Sequence, residues 1–504
     1  MKKYLLFILL ITLFLPVFGQ EVNGELLQEE HYKILKVWGN HNERGFAQGF
    51  LLGENIKTLA EDYFLGYVFQ NNAYYYNYTR DYFEQNFVID TNYISEAQGI
   101  VQGMITAGIN IYSTTLQRDL DHIDLLLSSS ITDISALGML NPQLRLGCSS
   151  ISSWDESTED DPDLNGNIII TRNMDWTAHQ ALLENHLLLV HFPSEDNEIP
   201  WLSFTFPGFM GALSGINNQH LSAFKNVGNV NTHPNQGPYH PILLTVRSGI
   251  ESIDYNNDGE TNNDDILAAI EDKERLASSL IHCVSDENAQ IVECNNQNGV
   301  MVRNLDDNDE APQINGKNLV VTNHFRKLYS PVYCYRYEGF ADSLVDNSFM
   351  TINRSWKIAS AAGGIAGNIH KIQYIPSLES IKWAVAEIGS PAYLCDSYQF
   401  SLTDLFLYTQ SDQHNLNVSH NIRAFPNPVK DVLNIKYYSK ANSQTTLEIF
   451  NVKGQKIKEL RITNYELGIN NIAWNVSAET TNGMYFYKLT SGKNSYAGKF
   501  LLVK

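Results

Sequence analysis

Between Gly147 and Trp176 the polarity pattern of the chain changes three times. Cys148 to Trp154 alternates apolar and polar positions, Asp155 to Gly166 is acidic and rich in turn residues, and Asn167 to Asn173 is rich in Ile and Thr. This order predicts a β-hairpin with a long loop. In an antiparallel pair the end of the second strand lies beside the start of the first. Pairing Trp154 with Asn167 sets Cys148 near Asn173 and folds Arg172 and Asp175 back towards Cys148. Upstream, Glu21 to Gly147 reads mostly helical, with helix-like apolar spacing over Glu43–Phe64 and Ile94–Ala107. The glycines there (Gly45, Gly49, Gly53, Gly99, Gly103) lower intrinsic helicity and permit close packing. Downstream, strands are predicted at Leu187–Phe192, Trp201–Phe206, Leu221–Phe224 and Asn318–Thr322, and a helix at Ile266–Cys283. The last segments, Ala424–Tyr438, Leu447–Ile457 and Gly483–Leu489, are short alternating strands between turn residues, the pattern of a small β-sandwich.

Composition divides the chain further. Its 504 residues exceed one ordinary domain, and 43 % hydrophobic residues allow a large core. A formal charge of −21 argues against nonspecific binding to nucleic acid or anionic lipid. Residues 422–504 reverse that sign, with 12 Lys and Arg against 5 Asp and Glu. Thr409–Asn421 is polar and reads as a linker. Residues 1–19 read as a secretory signal, with Lys2 and Lys3 before an apolar stretch that Pro16 interrupts, and a cut after Gly19. Of five cysteines, Cys148 is the natural odd one; Cys283, Cys294, Cys334 and Cys395 allow two bridges in three pairings. No CxxC occurs, which disfavours a zinc or thioredoxin-like site. The run Asp254–Asp265 has the form D-x-N-x-D-G-x-x-N-x-x-D. Asp254, Asn256, Asp258, Glu260, Asn262 and Asp265, with Gly259 at the sixth position, match a single EF-hand-like calcium loop. The aromatic cluster Tyr74, Tyr75, Tyr76, Tyr78, Tyr82 and Phe83 is expected to pack between helices first, and to line an acyl-chain pocket second.

The chemistry centres on Cys148. A neighbouring Arg favours thiolate over thiol. The small Gly147 leaves its carbonyl open to attack by that thiol. Cutting there frees an N-terminal Cys whose amine serves as base for its own thiol, with Asp175 expected to orient the amine. These residues resemble the nucleophile region of the N-terminal-nucleophile (Ntn) hydrolases, in particular the acyl-CoA:6-aminopenicillanate acyltransferase-like family related to bile salt hydrolases. Cys148 and Arg172-Asn173-Met174-Asp175-Trp176 are similar to its cut site and R-N-x-D-W block. Pro207–Leu221 is similar to its P-G-x-x-G…G-x-N-x-x-x-L segment, Val321–Phe325 to its T-N-H-F block, and Glu43–Ile56 to its first glycine-rich helix.

The resemblance, over roughly residues 30–410, implies an α+β fold, a four-layer αββα sandwich. It implies a helical part 20–147 released by self-cleavage between Gly147 and Cys148, and a catalytic part 148–408. It makes Cys148 the nucleophile, tuned by Arg172 and Asp175, with Asn217 and Asn323 stabilising the oxyanion and Arg354 aligned with a substrate-binding Arg. Asn323 also ends an apolar strand, where its amide can donate to developing negative charge; His324 beside it reads as structural. No organic cofactor is implied. The expected substrate is a small acyl amide, hydrolysed or transferred. Residues 422–504 resemble the sorting domain of type IX secretion, whose machinery is then a partner. Two rivals remain: a papain-like Cys/His hydrolase with a dedicated His base and no internal cut, and a non-catalytic calcium-dependent surface protein.

Overall fold

The computed structural model describes residues 22–407, apart from 145, 231, 233, 235–236, 308–311 and 364–366. It also describes residues 423–503, apart from 426–428, 431, 440–444, 463–467, 478–479 and 492–493. The predicted signal and linker lie outside the described residues. The chain forms two compact units, divided between Leu407 and Tyr408.

In the first unit, strands β1 (Gly24–Gln28) and β2 (Lys33–Gly39) precede the helices α1 (His41–Thr58), α2 (Ala73–Asn86) and α3 (Thr91–Thr106). A hairpin, β3 (Tyr112–Ser113) and β4 (Arg118–Asp119), leads to α4 (His122–Ser129) and α5 (Ile131–Ile134). The central hairpin is β5 (Leu146–Ser153) and β6 (Ile169–Trp176). After α6 (Gln180–Leu183) come β7 (Leu187–Pro193), β8 (Trp201–Thr205), β9 (Ser214–Asn217) and β10 (Ser222–Val227). Helices α7 (Ile242–Glu251) and α8 (Asn263–Glu271) precede β11 (Ser279–Val284), β12 (Ala289–Asn295), β13 (Gly299–Arg303) and β14 (Asn318–Val321). Last are α9 (Tyr335–Leu344), α10 (Ile352–Ile358), β15 (Asn368–Ile375), β16 (Ser380–Val385) and β17 (Ser397–Ser401).

Two sheets result. One has the order β1-β2-β7-β8-β9-β10-β11-β12-β13, the other β14-β5-β6-β15-β16-β17. They face each other through β5 and β11, where Ser150 Oγ and Ser152 Oγ hold the two ring nitrogens of His282 at 2.8 and 2.9 Å. Alternate positions of the hairpin turn the other way: Ile151 and Ile169 pack with Tyr337, Phe340 and Leu344 of α9. One strand therefore presents Cys148, Ser150 and Ser152 to the opposite sheet and Ile151 to a helix. Helices α7 and α8 pack on the first sheet, against β9–β10 and β11–β12 respectively.

Helix α1 starts at an Asn40–Glu43 capping box, kinks at Leu52 and runs on as π-helix through Leu59–Val68, so the predicted span is helical with one break. The glycines act as expected. A Cβ on Gly45 or Gly49 would collide with the carbonyl of Glu96 or Ile100 of α3, and one on Gly99 or Gly103 with that of Asn42 or Phe46 of α1. The predicted helix Ile266–Cys283 is corrected: α8 stops at Glu271, and Ser279–Val284 is the fully buried strand β11. A short apolar run buried on both sides has no periodicity to separate strand from helix. Strands β1 and β2 interrupt the stretch read as mostly helical. The predicted bridges are corrected too, since all five cysteines are free.

In the second unit, Arg423–Phe425, Val432–Ser439 and Gly468–Asn475 form one sheet; Lys456–Ile462, Thr445–Asn451, Gly483–Ser491 and Asn494–Leu502 form another. Leu433, Ile435 and Trp474 of the first share a core with Leu447, Ile449, Tyr485 and Phe500 of the second.

Buried histidines give the first unit a two-sided pH response. Burial lowers the pKa of His186 to about 4 and of His282 to about 3, and holds His370, bonded to His186 at 2.8 Å, well below its usual value. Burial also opposes the charged form of His41, but Glu198 and Glu96 at 2.8 and 2.7 Å raise it to about 9. Below about pH 6.5 the unfolded chain takes up protons that the three neutral histidines refuse, so their contribution is complete above that pH and declines towards pH 4 and 3. The contribution of His41 is complete below about pH 6.5 and is lost as pH rises through 9. Urea unfolding at pH 4.5 should show about 2–3 kcal/mol less stability per neutral histidine than at pH 7. The acid limb should flatten in His282→Gln; an equally steep limb in that variant would contradict the assignment.

Candidate active site

The hairpin register decides what meets the thiol. Cys148 stands opposite Met174, Ser150 opposite Arg172, and Gly147 opposite Asp175. This is one residue away from the predicted pairing of Cys148 with Asn173, and a one-residue slip exchanges the faces of a strand. Cys148 and Arg172 share the face towards the opposite sheet, as diagonal neighbours. Arg172 Nη2 donates to Cys148 Sγ at 3.2 Å and to the carbonyl of Lys225 in β10 at 2.9 Å. Asp175 lies on the other face, beside Gly147. There it accepts from Arg336 Nη1 of α9 at 2.8 Å and from Asn368 Nδ2 of β15 at 3.2 Å. Arg172 is thus brought to the sulfur as expected, whereas Asp175 bonds to neither atom of Cys148 expected to react.

Asn323, which follows β14, holds the backbone of the nucleophile. Its Oδ1 accepts from the Cys148 amide N–H at 3.0 Å and from Arg336 Nη2. Its Nδ2 donates to the carbonyl of Val227 at 2.7 Å. The amide expected to serve an oxyanion is therefore oriented the other way, with its oxygen towards the nucleophile. Asn217 is a correction. It closes the β9–β10 turn, with Oδ1 accepting from the Gln219 and Leu221 N–H groups and Nδ2 donating to the Ile250 carbonyl. That turn is at the opposite end of β10 from Lys225 and Val227, and no hydrogen bond of Asn217 reaches Cys148. Arg354 is a second correction. Its guanidinium caps the carbonyls of Ser343, Asn347 and Phe349, tying α10 to the end of α9. Arg336, which no sequence motif marks, is an arginine that enters the site, beside Asp175 and Asn323. Among the described residues no histidine hydrogen-bonds Cys148, His324 included.

The site is dry. Cys148, Arg172, Asp175 and Asn323 are all buried. Burial pushes the Cys148 thiol up, and Arg172 is the strongest pull back towards thiolate. Burial raises Asp175 to about 6 against the pull of Arg336. Met174, the cross-strand partner of Cys148, lines an apolar cavity of about 70 Å³ together with Trp176 of β6 and Tyr63, Phe64, Phe206 and Leu213. Of the predicted aromatic cluster, Tyr76 lines this cavity and Phe83 is in the core, while Tyr74, Tyr75 and Tyr78 are exposed.

In the predicted calcium loop, Asp254 accepts from the N–H groups of Asp258 and Gly259, and Asp265 from those of Tyr255, Asn256 and Asn262. Asn256 Nδ2 donates to Asp258, Asn262 Nδ2 to Glu260, and α8 starts within the loop at Asn263, capped by Asn262. Gly259 takes φ +94°, which its position in the loop requires.

Residues 423–504 match the family described as "Secretion system C-terminal sorting domain". The chain is therefore addressed for secretion or cell-surface attachment through the type IX system. The protein dcd1B of Dictyostelium discoideum is 23 % identical over 218 residues, covering 40 % of this chain and 41 % of that protein. The chain thus spans about two fifths of the length of the curated relative it matches. Solved structures similar in part include the Caenorhabditis elegans ortholog of N-acylethanolamine-hydrolyzing acid amidase. Its TM-score is 0.34 at 16 % identity, over 46 % of this chain and 94 % of that one. A mutant of the conjugated bile acid hydrolase from Clostridium perfringens gives 0.30 at 10 % identity, over 52 % and 97 %. Likeness at those scores is too slight to argue from.

Proposed function

We propose that this exported chain is a self-cleaving N-terminal-cysteine hydrolase of carbon–nitrogen amide bonds, built on an αββα sandwich. The observation that carries the reading is the two-sided grip on Cys148: Arg172 on its sulfur, Asn323 on its backbone nitrogen. In the first step Sγ attacks the Gly147 carbonyl, the Cys148 nitrogen leaves as an amine, and a thioester joins Gly147 to Sγ. Water then cleaves the thioester, leaving a Gly147 carboxylate and a free N-terminal Cys148. In turnover the new amine takes the thiol proton and the thiolate attacks the acyl carbonyl. The proton then passes to the leaving amine, and water releases the acid. Asn323 Oδ1, already bonded to that nitrogen, orients the amine in the place proposed for Asp175. Asp175 and Arg336 brace Asn323 from the other face. The acyl group lies in the apolar cavity beside Met174, which favours an apolar acyl chain. Export into water favours hydrolysis over transfer. A papain-like mechanism is disfavoured because no histidine among the described residues hydrogen-bonds Cys148.

The test is to sequence the N-termini of the purified protein and assay it against a panel of acyl amides. Fragments starting at residue 20 and at Cys148, with turnover only after the cut, are expected. Active enzyme that starts elsewhere overturns the reading.

The loop Asp254–Asp265 is proposed to hold a structural calcium ion, since Asp254, Asp258 and Asp265 would repel one another without a cation. Preferential binding to the folded state should make EDTA lower the Tm of the wild type and leave Asp258→Ala nearly unmoved. Equal responses would remove calcium from the scheme.

A further inference from the structure

Asn323, whose oxygen holds the Cys148 amide, lies in an irregular segment between β14 and α9. Such a segment has no ladder partners, so its backbone N–H groups must find acceptors elsewhere. Three successive ones, those of Arg326, Lys327 and Leu328, converge on a single carboxylate. Glu293 Oε2 accepts from them at 3.2, 3.0 and 2.8 Å, and Glu293 Oε1 also accepts from the Arg326 N–H at 3.1 Å. Consecutive N–H groups turned to one point form an anion-binding concavity. Here the anion is a side chain of β12 that is 0 % exposed.

Strand register shows how Glu293 reaches that segment. It stands opposite Leu280 of β11, two residues from His282, so it shares the face on which His282 meets the hairpin sheet. Arg303, at the end of β13, lies on the same face, because Met301 is opposite Glu293. Arg303 Nε donates to Glu293 Oε1 at 3.1 Å, and Arg303 Nη2 to the carbonyl of Val320 in β14 at 2.8 Å. Val320 precedes Asn323 and Arg326 follows it, so one buried ion pair grips the chain on both sides of Asn323. The remaining holds come from the end of β10. The Asn323 carbonyl accepts from the Asn229 N–H at 2.7 Å, and its Nδ2 donates to Val227. Among the described residues Glu293 hydrogen-bonds neither Asn323 nor Cys148, so it acts on them through the backbone of this segment.

We propose that Glu293 is a positioning residue for the nucleophile: by clamping residues 326–328, and Val320 through Arg303, it fixes Asn323 where its Oδ1 meets the Cys148 nitrogen. The catalytic purpose of this clamp rests on the proposed function; the coupling from Glu293 to the residue 148 amide does not. In Glu293→Gln one of the two acceptor oxygens becomes an NH2 group turned on backbone donors, so the segment loosens and Asn323 moves with it.

The test is hydrogen exchange of the full chain in the uncut Cys148→Ala background, which keeps the residue 148 N–H, read by mass spectrometry with fragmentation to single residues. Glu293→Gln should speed exchange of that amide by about tenfold or more, while the amides of β7 keep their rates. Glu293→Asp keeps the charge, shortens its reach by one carbon, and should act in the same direction; it carries the test if the Gln variant does not fold. With Asn323→Ala added, the residue 148 amide has already lost its acceptor, and Glu293→Gln should add nothing at that position. Thermal melts confirm which variants are folded. An unmoved residue 148 amide in a folded Glu293 variant overturns the role. So does the same further speeding in the Asn323→Ala background, or a uniform rise across the sheets, each of which marks a merely structural carboxylate. A wild type that never cuts itself would sink the proposed function and leave the exchange result standing.

Discussion

Cys148→Ala is expected to remain a single uncut chain and to lose amide turnover by about 10⁴-fold or more. The thiol is both the group that opens the Gly147–Cys148 bond and the nucleophile afterwards, so one atom controls two events. Before the cut, the Cys148 nitrogen is an amide donating to Asn323 Oδ1 and cannot act as a base. Cleavage converts it to an amine already held beside the sulfur. Cys148→Ser should cut slowly, because a hydroxyl is a weaker nucleophile than a thiolate, and the neighbouring Arg172 that favours a thiolate does far less for an alcohol. Denaturing gels, intact mass and turnover on one acyl amide decide the matter. A wild type that stays uncut yet turns over substrate would exclude self-activation and return a non-Ntn cysteine mechanism.

The second large effect is expected at Arg336→Met. Arg336 Nη1 is 2.8 Å from Asp175 Oδ2, with the two side chains 8 % and 1 % exposed. Removing one partner of a buried ion pair leaves an uncompensated charge, at a cost of about 3–5 kcal/mol. Asp175 already sits at about 6 through burial, with Arg336 as its main counterweight; without it the carboxyl rises further and is protonated near neutral pH. Urea unfolding should show that loss for Arg336→Met and recover most of it in Arg336→Met/Asp175→Asn, which removes both charges. The double variant should still be slow in self-cleavage, because the guanidinium also braces the Asn323 oxygen that holds the Cys148 nitrogen. Full-rate cleavage in the folded double variant would confine the pair to a structural role.

Local pattern carried much of this molecule. The hairpin around Cys148, the α1–α3 contact through glycines, the strands at Leu187, Trp201 and Asn318, and the alternating strands of the tail all follow from spacing, turn residues and side-chain size, because each depends on neighbours in the chain. That Arg172 returns to the neighbourhood of Cys148 was legible for the same reason: a hairpin brings nearby sequence back to itself. What the tertiary structure alone decided lies across faces and between distant strands. The one-residue register was set by the burial of Ile151 and Ile169 against α9, a helix more than 150 residues on, and it sent Asp175 away from the thiol. Arg336 and Asn368 reach the site from α9 and β15, where nothing in their own segments marks them. Asn217 and Arg354 were legible as polar residues near motifs, yet their hydrogen bonds are spent on a turn and on helix-end carbonyls. A side chain's type is written in the sequence, but the strand face it occupies and the charge that answers it depend on which distant segment packs against it.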